Sequence, residues 1–581
     1  MQHWDARARA QLTLSKEVGF VRKPHAARLR VALAFPNSYY VGMSNLGLQT
    51  VYQLFNAHED VVCERVFLPA KQELQAQLSS GGPLRTLESQ SRVADFDVFA
   101  FSVSFEWDYT NLVSMLRLAR LPLYAAERTN QHPLVVLGGA VTFVNPEPLA
   151  PFVDVVAAGE GEVLVPALVD VLGSMGNRDQ ALRALAARTG FYIPSFYDVR
   201  HETDGRTADF VPKEGTGAPR KVRKAALRAT EAIEPPATSI FTPDTEFGSR
   251  LLIEVVRGCA NLCRFCWAGY NYLPVRAFPT ESILARAEAA RPYANRVGLV
   301  SIALCDHPDI EEILQRLVAM DYSISPASLR LDDLTEPIVR LLRTSGERTL
   351  TIAPETGSDR LRRVINKTVT NDEILEKTEL IFANDIENLK LYFMIGLPTE
   401  SDEDLIAIRD LTVSMRKIMI KHARSRGRVG RIVGSVNPLI PKPGTAYQWL
   451  PMETPSVTEQ KMHRLRALLA ELDNVYFTIK SERHSYYQAL LSLGDRRIAP
   501  AIVAAEANGG NWRRATAEAN IDSDFYIFRD RREDRMLPWD IIDGGMKKTF
   551  FQNEFAKALR EEWTLPPKRQ VERARLLPVL E

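Results

Sequence analysis

Cysteine is scarce, with five in 581 residues. Three of the five crowd into one loop. The other two, Cys63 and Cys305, lie far apart in sequence, so no disulfide framework is implied and a reducing compartment is expected, with the cytoplasm as the location. Long hydrophobic runs are missing. No window approaches the roughly 18 consecutive apolar residues of a membrane helix, so no span is expected. The first residues, MQHWDARARAQL, lack the apolar stretch of a signal peptide. Net charge is almost nil, +1 from 73 basic and 72 acidic side chains, which removes any global bias toward nucleic acid or membrane surfaces. Repeats and low-complexity tracts are also lacking. The rest, 45% apolar and 25% charged, is ordinary for folded domains, and the length suits about three or four of them.

The clustered cysteines are Cys259, Cys263 and Cys266, in RGCANLCRFCWAGY. The run LLIEVV before them reads as a buried parallel strand. The thiols then sit in the loop at its carboxyl end, the face on which β/α barrels carry active sites. Thiolates at this density suit an iron–sulfur cluster. A [4Fe–4S] cube needs four ligands, and this segment offers three, so one iron stays open to a small chelating molecule. A structural zinc site needs a fourth nearby Cys or His. None lies within fifteen residues on either side.

Residues 1–180 alternate apolar runs with helical patterns: RVALAFP (30–36), DVFAFSVS (97–104), PLVVLGG (133–139) and DVVAAGEGE (154–162) as strands, with helices between them. That pattern predicts a doubly wound parallel sheet, whose ligands sit outside the carboxyl ends of the strands. Asn37 and Asn45 follow the first strand, and Ser102, Ser104 and Glu106 the second. Gly138 and Gly139 follow the third, and Gly159, Glu160, Gly161 and Glu162 the fourth. Glycines there predict close approach of a ligand to the backbone.

Residues 181–248 read as an irregular connector with one hairpin. Strand–helix alternation returns over 249–450 in LLIEVVR, VGLVSIAL, SISPASLRL, TLTIAPE, LKLYFMIGLP and RIVGSVNPL, which predicts a partial (β/α)6 barrel. Residues 451–581 read as a helical carboxyl-terminal domain. Barrel strand ends supply Ser301, Cys305, Asp306 and Glu355, followed by a helix bearing Arg363 and capped by Ser358 or Asp359. The acidic residues after the Gly396–Leu397–Pro398 turn complement a helix amino terminus and need no catalytic role. Glu254 and Arg257 fit a salt link inside the barrel. Cys305 reads as a small buried thiol. Basic runs at 220–228 and 417–431 carry no interleaved aromatics, so they read as solvated charge rather than a platform for stacked bases.

The spacing C-x3-C-x-F-C matches the radical S-adenosylmethionine (SAM) superfamily. Together with SNLGLQTVY, the GEGE turn, APETGSDRLR, YFMIGLPTE and IPKPGT, it resembles the cobalamin-binding-domain branch over about four fifths of the chain. The resemblance implies that the three cysteines hold a [4Fe–4S] cluster whose open iron takes SAM, with Phe265, Ser301, Glu355, Arg363 and Gly396 as SAM contacts. It implies a cobalamin-binding-like amino-terminal domain, with Asn37, Asn45, Ser102, Ser104, Gly138, Gly139, Gly159, Glu160 and Gly161 toward the corrinoid. Three departures stand out. The Gly-Gly-Glu element of the second strand is missing, and Gly444 replaces the His that follows PKP in related chains. No Asp-x-His-x-x-Gly loop supplies a lower imidazole. The implied activity is reductive cleavage of SAM to a 5′-deoxyadenosyl radical for cobalamin-dependent methylation of an unactivated carbon, served by an electron donor such as flavodoxin or ferredoxin. A rearrangement, a cyclisation or an RNA modification without methyl transfer stays open, as does a non-catalytic iron–sulfur RNA-binding module. Methylthiotransfer needs three further cysteines, and two are spare. The substrate, whether small molecule, peptide or RNA, is not legible.

Overall fold

The computed structural model describes residues 3–174, 176–230, 232–259, 261–326 and 329–564. Ala260 of the cysteine loop, Ala327 and Ser328 of the third expected barrel strand, and 565–581 of the helical tail lie outside the described residues.

Apolar runs buried on both faces form the first sheet. Its strands are β1 (Leu29–Phe35), β2 (Val61–Phe67), β3 (Val98–Ser102), β4 (Leu134–Gly138) and β5 (Val155–Ala157), with β6 (Phe191–Tyr192) antiparallel at one edge. The order is β2-β1-β3-β4-β5-β6 and the first five are parallel. The chain leaves β1 toward β2 and returns past β1 to β3, so the topological switch point lies between β1 and β3, where such sheets take ligands. Sequence patterning overlooked β2 because Glu64 and Arg65 interrupt its apolar run. Both are buried, and Arg65 is neutralised by Glu17 at 2.6 Å and Glu88 at 2.7 Å.

The connector holds the expected hairpin, β7 (Tyr197–His201) with β8 (Thr207–Pro212), then β9 (Val222–Arg223). The barrel follows as β10 (Leu251–Arg257), the short antiparallel β11 (Arg276–Ala277), β12 (Arg296–Ser301), β13 (Ser323–Pro326), β14 (Thr349–Glu355), β15 (Asn388–Ile395) and β16 (Ile432–Pro438). All six expected strands are present, in two four-stranded sheets, β11-β10-β12-β13 and β14-β15-β16-β17. The extra member, β17 (Val475–Ile479), pairs parallel to β16. It falls within the tail read as wholly helical: five residues between two helices carry too little pattern to announce a strand. A last pair, β18 (Ile542–Asp543) with β9, ties the tail to the connector.

Alternate residues of β14, β15 and β16 face outward and are buried under helices such as Asn371–Ala383, Asp402–Arg426 and Pro455–Leu469. The intervening residues face the lumen, and Lys390, Tyr392, Val433 and Tyr476 there are exposed. The tail helices Glu482–Leu493, Ala499–Ala507 and Lys548–Leu559 share one hydrophobic core with the first sheet. The molecule is therefore α/β, with a doubly wound parallel sheet, a partial barrel and a helical part that packs back on the first sheet. Among the described residues, no helix is long and apolar enough to cross a membrane.

Candidate active site

Two features meet where the first sheet faces the barrel. One is the cysteine loop after β10. Burial pushes all three thiols up, Cys259 to about 11 and Cys263 to about 12. In the metal-free chain they are protonated, so iron must displace protons to bind. Lys367 stands beside them, 3.4 Å from Glu355. Burial opposes its charge, but the Glu355 carboxylate offsets that and keeps it raised, and thiolates at the three cysteines would add to the effect. Glu355 ends β14 in a left-handed conformation, φ 65°, a strained backbone for a residue with a Cβ. Three thiols with a cation at their edge are a donor set suited to an anionic cluster. A cube takes one thiolate per iron, a wider spacing than ligands closing round a single ion, and among the described residues no group of three His, Cys, Asp or Glu side chains closes in that tighter way.

The loop is braced from outside. Arg264 is fully buried and donates to Glu554 at 3.1 Å, to the carbonyls of Arg363 and Val364 at 2.7 and 3.1 Å, and to the Glu562 carbonyl at 2.8 Å. Tyr270 donates to the Leu262 carbonyl and packs edge-on against Phe551. The helix Lys548–Leu559 thus closes over the back of the loop.

The second feature is a cavity of about 470 Å³, within the usual range for cofactor pockets. Its floor is apolar: Leu33, Val51, Phe55, Ala100, Val136 and Leu168 among others. Its rim carries the polar strand-end groups. Asn45, Ser102, Ser104, Gly138, Gly139, Gly159, Glu160, Gly161 and Ser301, all singled out from sequence, line it, joined by Glu162, Glu254 and Arg257. Residues of β10 and β12 close the far side, so the cavity runs from the switch point to the barrel's inner face. Phe143 and Tyr272, also on the wall, pack with tilted rings against Trp267, the residue after Cys266, at centroid distances of 5.9 and 5.8 Å, and meet each other edge-on at 5.5 Å. Through Trp267 this aromatic layer joins the cavity wall to the cysteine loop.

Several residues sit otherwise than their pattern suggests. Asn37 is not on the wall; its amide donates to Asp108 at 2.9 Å and its oxygen accepts from Ser38 N. Asn45 caps the helix Leu46–Asn56, accepting from Leu48 N at 2.9 Å. Gly139 and Gly159 are glycine because chain meets chain: a Cβ would lie 2.3 Å from the Val103 carbonyl and 2.1 Å from that of Ala225, with φ at +90° and +138°. The close approach is by backbone, not by a ligand. Glu160 is fully engaged by Arg257, Arg276 and Leu227 N. Burial pushes this carboxyl up, and the two guanidiniums more than reverse it. Phe265 is half-buried against the core. The Ser301 hydroxyl accepts from Ala303 N. Gly396, at φ 77°, donates its N–H to Glu400 at 2.7 Å. Arg363 is half-buried on the helix Asp359–Ile365, whereas its neighbour Arg362 is fully buried on Thr356 O and Asp359.

The family model described as the radical SAM superfamily matches residues 253–412, and that for radical SAM proteins, N-terminal, matches 47–194. The chain belongs to the radical SAM superfamily. Its cofactors are a [4Fe–4S] cluster and SAM. An uncharacterized protein of Methanocaldococcus jannaschii is 26% identical over 470 residues, covering 81% of this chain and 89% of that one. Among solved structures, the radical SAM methyltransferase TsrM from Kitasatospora setae, with cobalamin and a [4Fe–4S] cluster bound, superposes with a TM-score of 0.50 at 13% identity over 85% of this chain and 99% of that chain. The cobalamin-dependent SAM radical enzyme OxsB gives 0.45 at 15% identity; the match spans 66% of this chain and 52% of OxsB.

For a superfamily member, the residues that sequence reading overlooked are instructive. Lys367, Arg276 and the aromatic layer have no motif of their own. Only the fold brings them to the cysteines and the cavity. Trp267, adjoining Cys266, was the one signal in plain sight.

Proposed function

We propose that the chain is a cobalamin-dependent radical SAM enzyme that methylates an unactivated carbon. The observation that carries this reading is the single cavity reaching from the switch point of the first sheet to the inner face of β10 and β12, one aromatic layer from the cysteine loop. A flat macrocycle suits it: the floor is apolar, and the rim offers the Ser102 and Ser104 hydroxyls and the Asn45 amide. No histidine is among the lining residues, so these residues would hold a corrinoid through apolar and hydroxyl contacts and would offer it no imidazole. A cluster held by Cys259, Cys263 and Cys266 would supply the electron for reductive cleavage of SAM to a 5′-deoxyadenosyl radical.

Within this reading the chain's own groups take defined parts. Cys259, Cys263 and Cys266 hold the cluster, and Lys367 balances its charge. Glu355, Ser301, Arg363, Phe265 and the backbone at Gly396 contact SAM. The Phe143–Trp267–Tyr272 layer and Ser301, which also lines the cavity, stand where the two cofactor sites meet. A flavodoxin- or ferredoxin-like donor supplies electrons. The decisive experiment is anaerobic reconstitution with iron and cobalt analysis, followed by mass spectrometry of SAM products. Stoichiometric cobalt with 5′-deoxyadenosine supports the reading. Cleavage without cobalt favours a rearrangement or cyclisation, and no cleavage removes the enzymatic reading altogether.

A further inference from the structure

Strand register lays out the lumen face of β14 to β17 in rows. Thr351, Lys390, Val433 and Tyr476 stand opposite one another in one row, and Tyr392, Ser435 and Thr478 in the next toward the strand ends. Asn437 follows opposite Met394, close to the level at which Glu355 pairs with Phe393. Three of these side chains are large and apolar yet stand in water: Tyr392 is 43% exposed, Val433 37% and Tyr476 53%. Apolar groups gathered on one open face mark a binding surface. Asn437 adds an acceptor, for its Oδ1 is buried without a hydrogen-bond partner among the described residues.

Cations border the lumen at the amino ends of its strands. Arg250 precedes β10, Arg296 opens β12, Lys390 is the third residue of β15, and Arg431 precedes β16. Arg250 lies across Gly298 of β12, where a Cβ would come 3.4 Å from its Cδ. Its Nε is buried with no hydrogen-bond partner among the described residues. Burial, then the nearby Arg296 charge, push the Arg250 guanidinium down, while Glu347 pulls the other way. Acids that share this face are already engaged. Glu347 accepts from the Ser325 hydroxyl and from the N–H groups of Arg348 and Thr349, Glu254 pairs with Arg257, and Glu355 with Lys367. Among the described residues no ion pair neutralises Arg250, Arg296, Lys390 or Arg431. Two of the four lie over exposed rings instead, Arg431 at 5.9 Å from the Tyr476 centroid and Arg250 at 5.9 Å from that of Phe247. Arg431 ends a basic run that holds no aromatic of its own; the fold supplies the ring from β17.

A ligand for this face needs flat groups to cover the rings and negative charge to meet the four cations. It also needs N–H or O–H groups for Ser435, Thr478 and Asn437. Unpaired RNA carries all three in every nucleotide, as base, phosphate and 2′-hydroxyl. Tyr392 and Tyr476 lie two strands and two residues apart, about 12 Å, which gives room for two splayed bases. An apolar peptide would leave the cations unmet, and an acidic one would leave the rings uncovered. We infer that the lumen face binds an unpaired stretch of RNA, its bases stacked on Tyr392 and Tyr476 and its phosphates against Arg250, Arg296, Lys390 and Arg431. The inference rests on the enzymatic reading of the chain and adds the substrate class.

The test uses the full chain, purified anaerobically with its cluster, and follows the fluorescence anisotropy of a labelled, unstructured RNA dodecamer. DNA of the same sequence and poly-glutamate of matching charge serve as the other probes. RNA should bind at least threefold more tightly than the DNA and at least tenfold more tightly than poly-glutamate. Tyr476→Ala should weaken RNA binding about tenfold, the loss of one stacked base, and leave poly-glutamate unchanged. Lys390→Gln should lower the slope of log affinity against log salt by about 0.7, the loss of one phosphate contact. Both side chains are exposed, so cluster absorption and the unfolding temperature should hold in each variant. Equal binding of RNA and either other probe, or unaltered RNA affinity in Tyr476→Ala, overturns the inference. Cleavage of SAM by protein that binds no RNA overturns this inference alone. RNA binding without any SAM cleavage sustains the surface and removes the enzymatic reading.

Discussion

The first sheet and the second half of the barrel are both parallel, yet they treat their two faces differently. In β1, β3 and β4 nearly every residue is buried, because packing covers the sheet above and below. In β15 and β16 burial alternates: one face lies under helices and the other is open to the lumen. A sheet buried on both faces can meet a ligand only at its strand ends. A half-open barrel offers its whole inner face as well. The cavity lies where these two kinds of access join: strand ends form its rim, Leu33, Ala100 and Val136 beneath the covering helices form its floor, and the inner face of β10 and β12 closes it.

The comparison can be broken most severely at the loop between the two. Cys263→Ala leaves two thiols, so iron content and 5′-deoxyadenosine formation should both fall to background; retained cleavage would refute the cluster ligands. Next comes the contrast between the sheets. Phe99, wholly buried against Phe101, should cost about 3–5 kcal/mol when cut to Ala. Tyr392→Ala on the open lumen face should stay within about 0.5 kcal/mol, as read by denaturant unfolding.

A third break uses Lys224, from β9's end, which burial pushes down to about 8. It donates to the Asn271 carbonyl and lies 5.4 Å over the Phe143 ring. The unfolded amine keeps its proton to about pH 10.4. Between about pH 8 and 10 the unfolded chain therefore binds more protons, and stability rises with pH by up to about 3 kcal/mol. Lys224→Met should flatten that slope in thermal melts run across the window.

The smallest effect sharpens the comparison at the strand ends. Gly138→Leu meets only an ordinary contact, 3.5 Å from Phe101 O, and projects from a lining residue. It should lower corrinoid retention about tenfold, or about 1.4 kcal/mol, while the melting temperature holds. The adjacent Gly139→Ala should do the opposite. It forces a Cβ into Val103 at positive φ and costs about 1–3 kcal/mol of stability. Cobalt content beside a melt separates the two.

Much of this architecture was legible because its signals are local. Apolar runs such as LLIEVV and PLVVLGG declare buried strands, and cysteines four and three residues apart declare a shared ligand whatever the fold around them. Strand ends were legible for the same reason: Ser102, Gly138 and Gly159 are simply the residues at which an apolar run stops. Charge was misleading, since β2 hides a buried Arg65 whose partners, Glu17 and Glu88, lie 48 and 23 residues away. β17 was missed because its pairing with β16, not its own pattern, makes it a strand.

What the amino-acid order determined alone is therefore the chemistry held in one short stretch: three thiols after a buried strand, and glycines where strands end. What only the tertiary structure decided is every relation between distant charges and rings. It put Arg257 among Glu160, Glu162 and Glu254, Lys367 beside the sulfurs, Trp267 against Phe143, and Glu554 under Arg264. The reason is physical. A hydrophobic period is written residue by residue along the chain. An ion pair or an aromatic contact exists only after folding has removed the water and the sequence distance between its members.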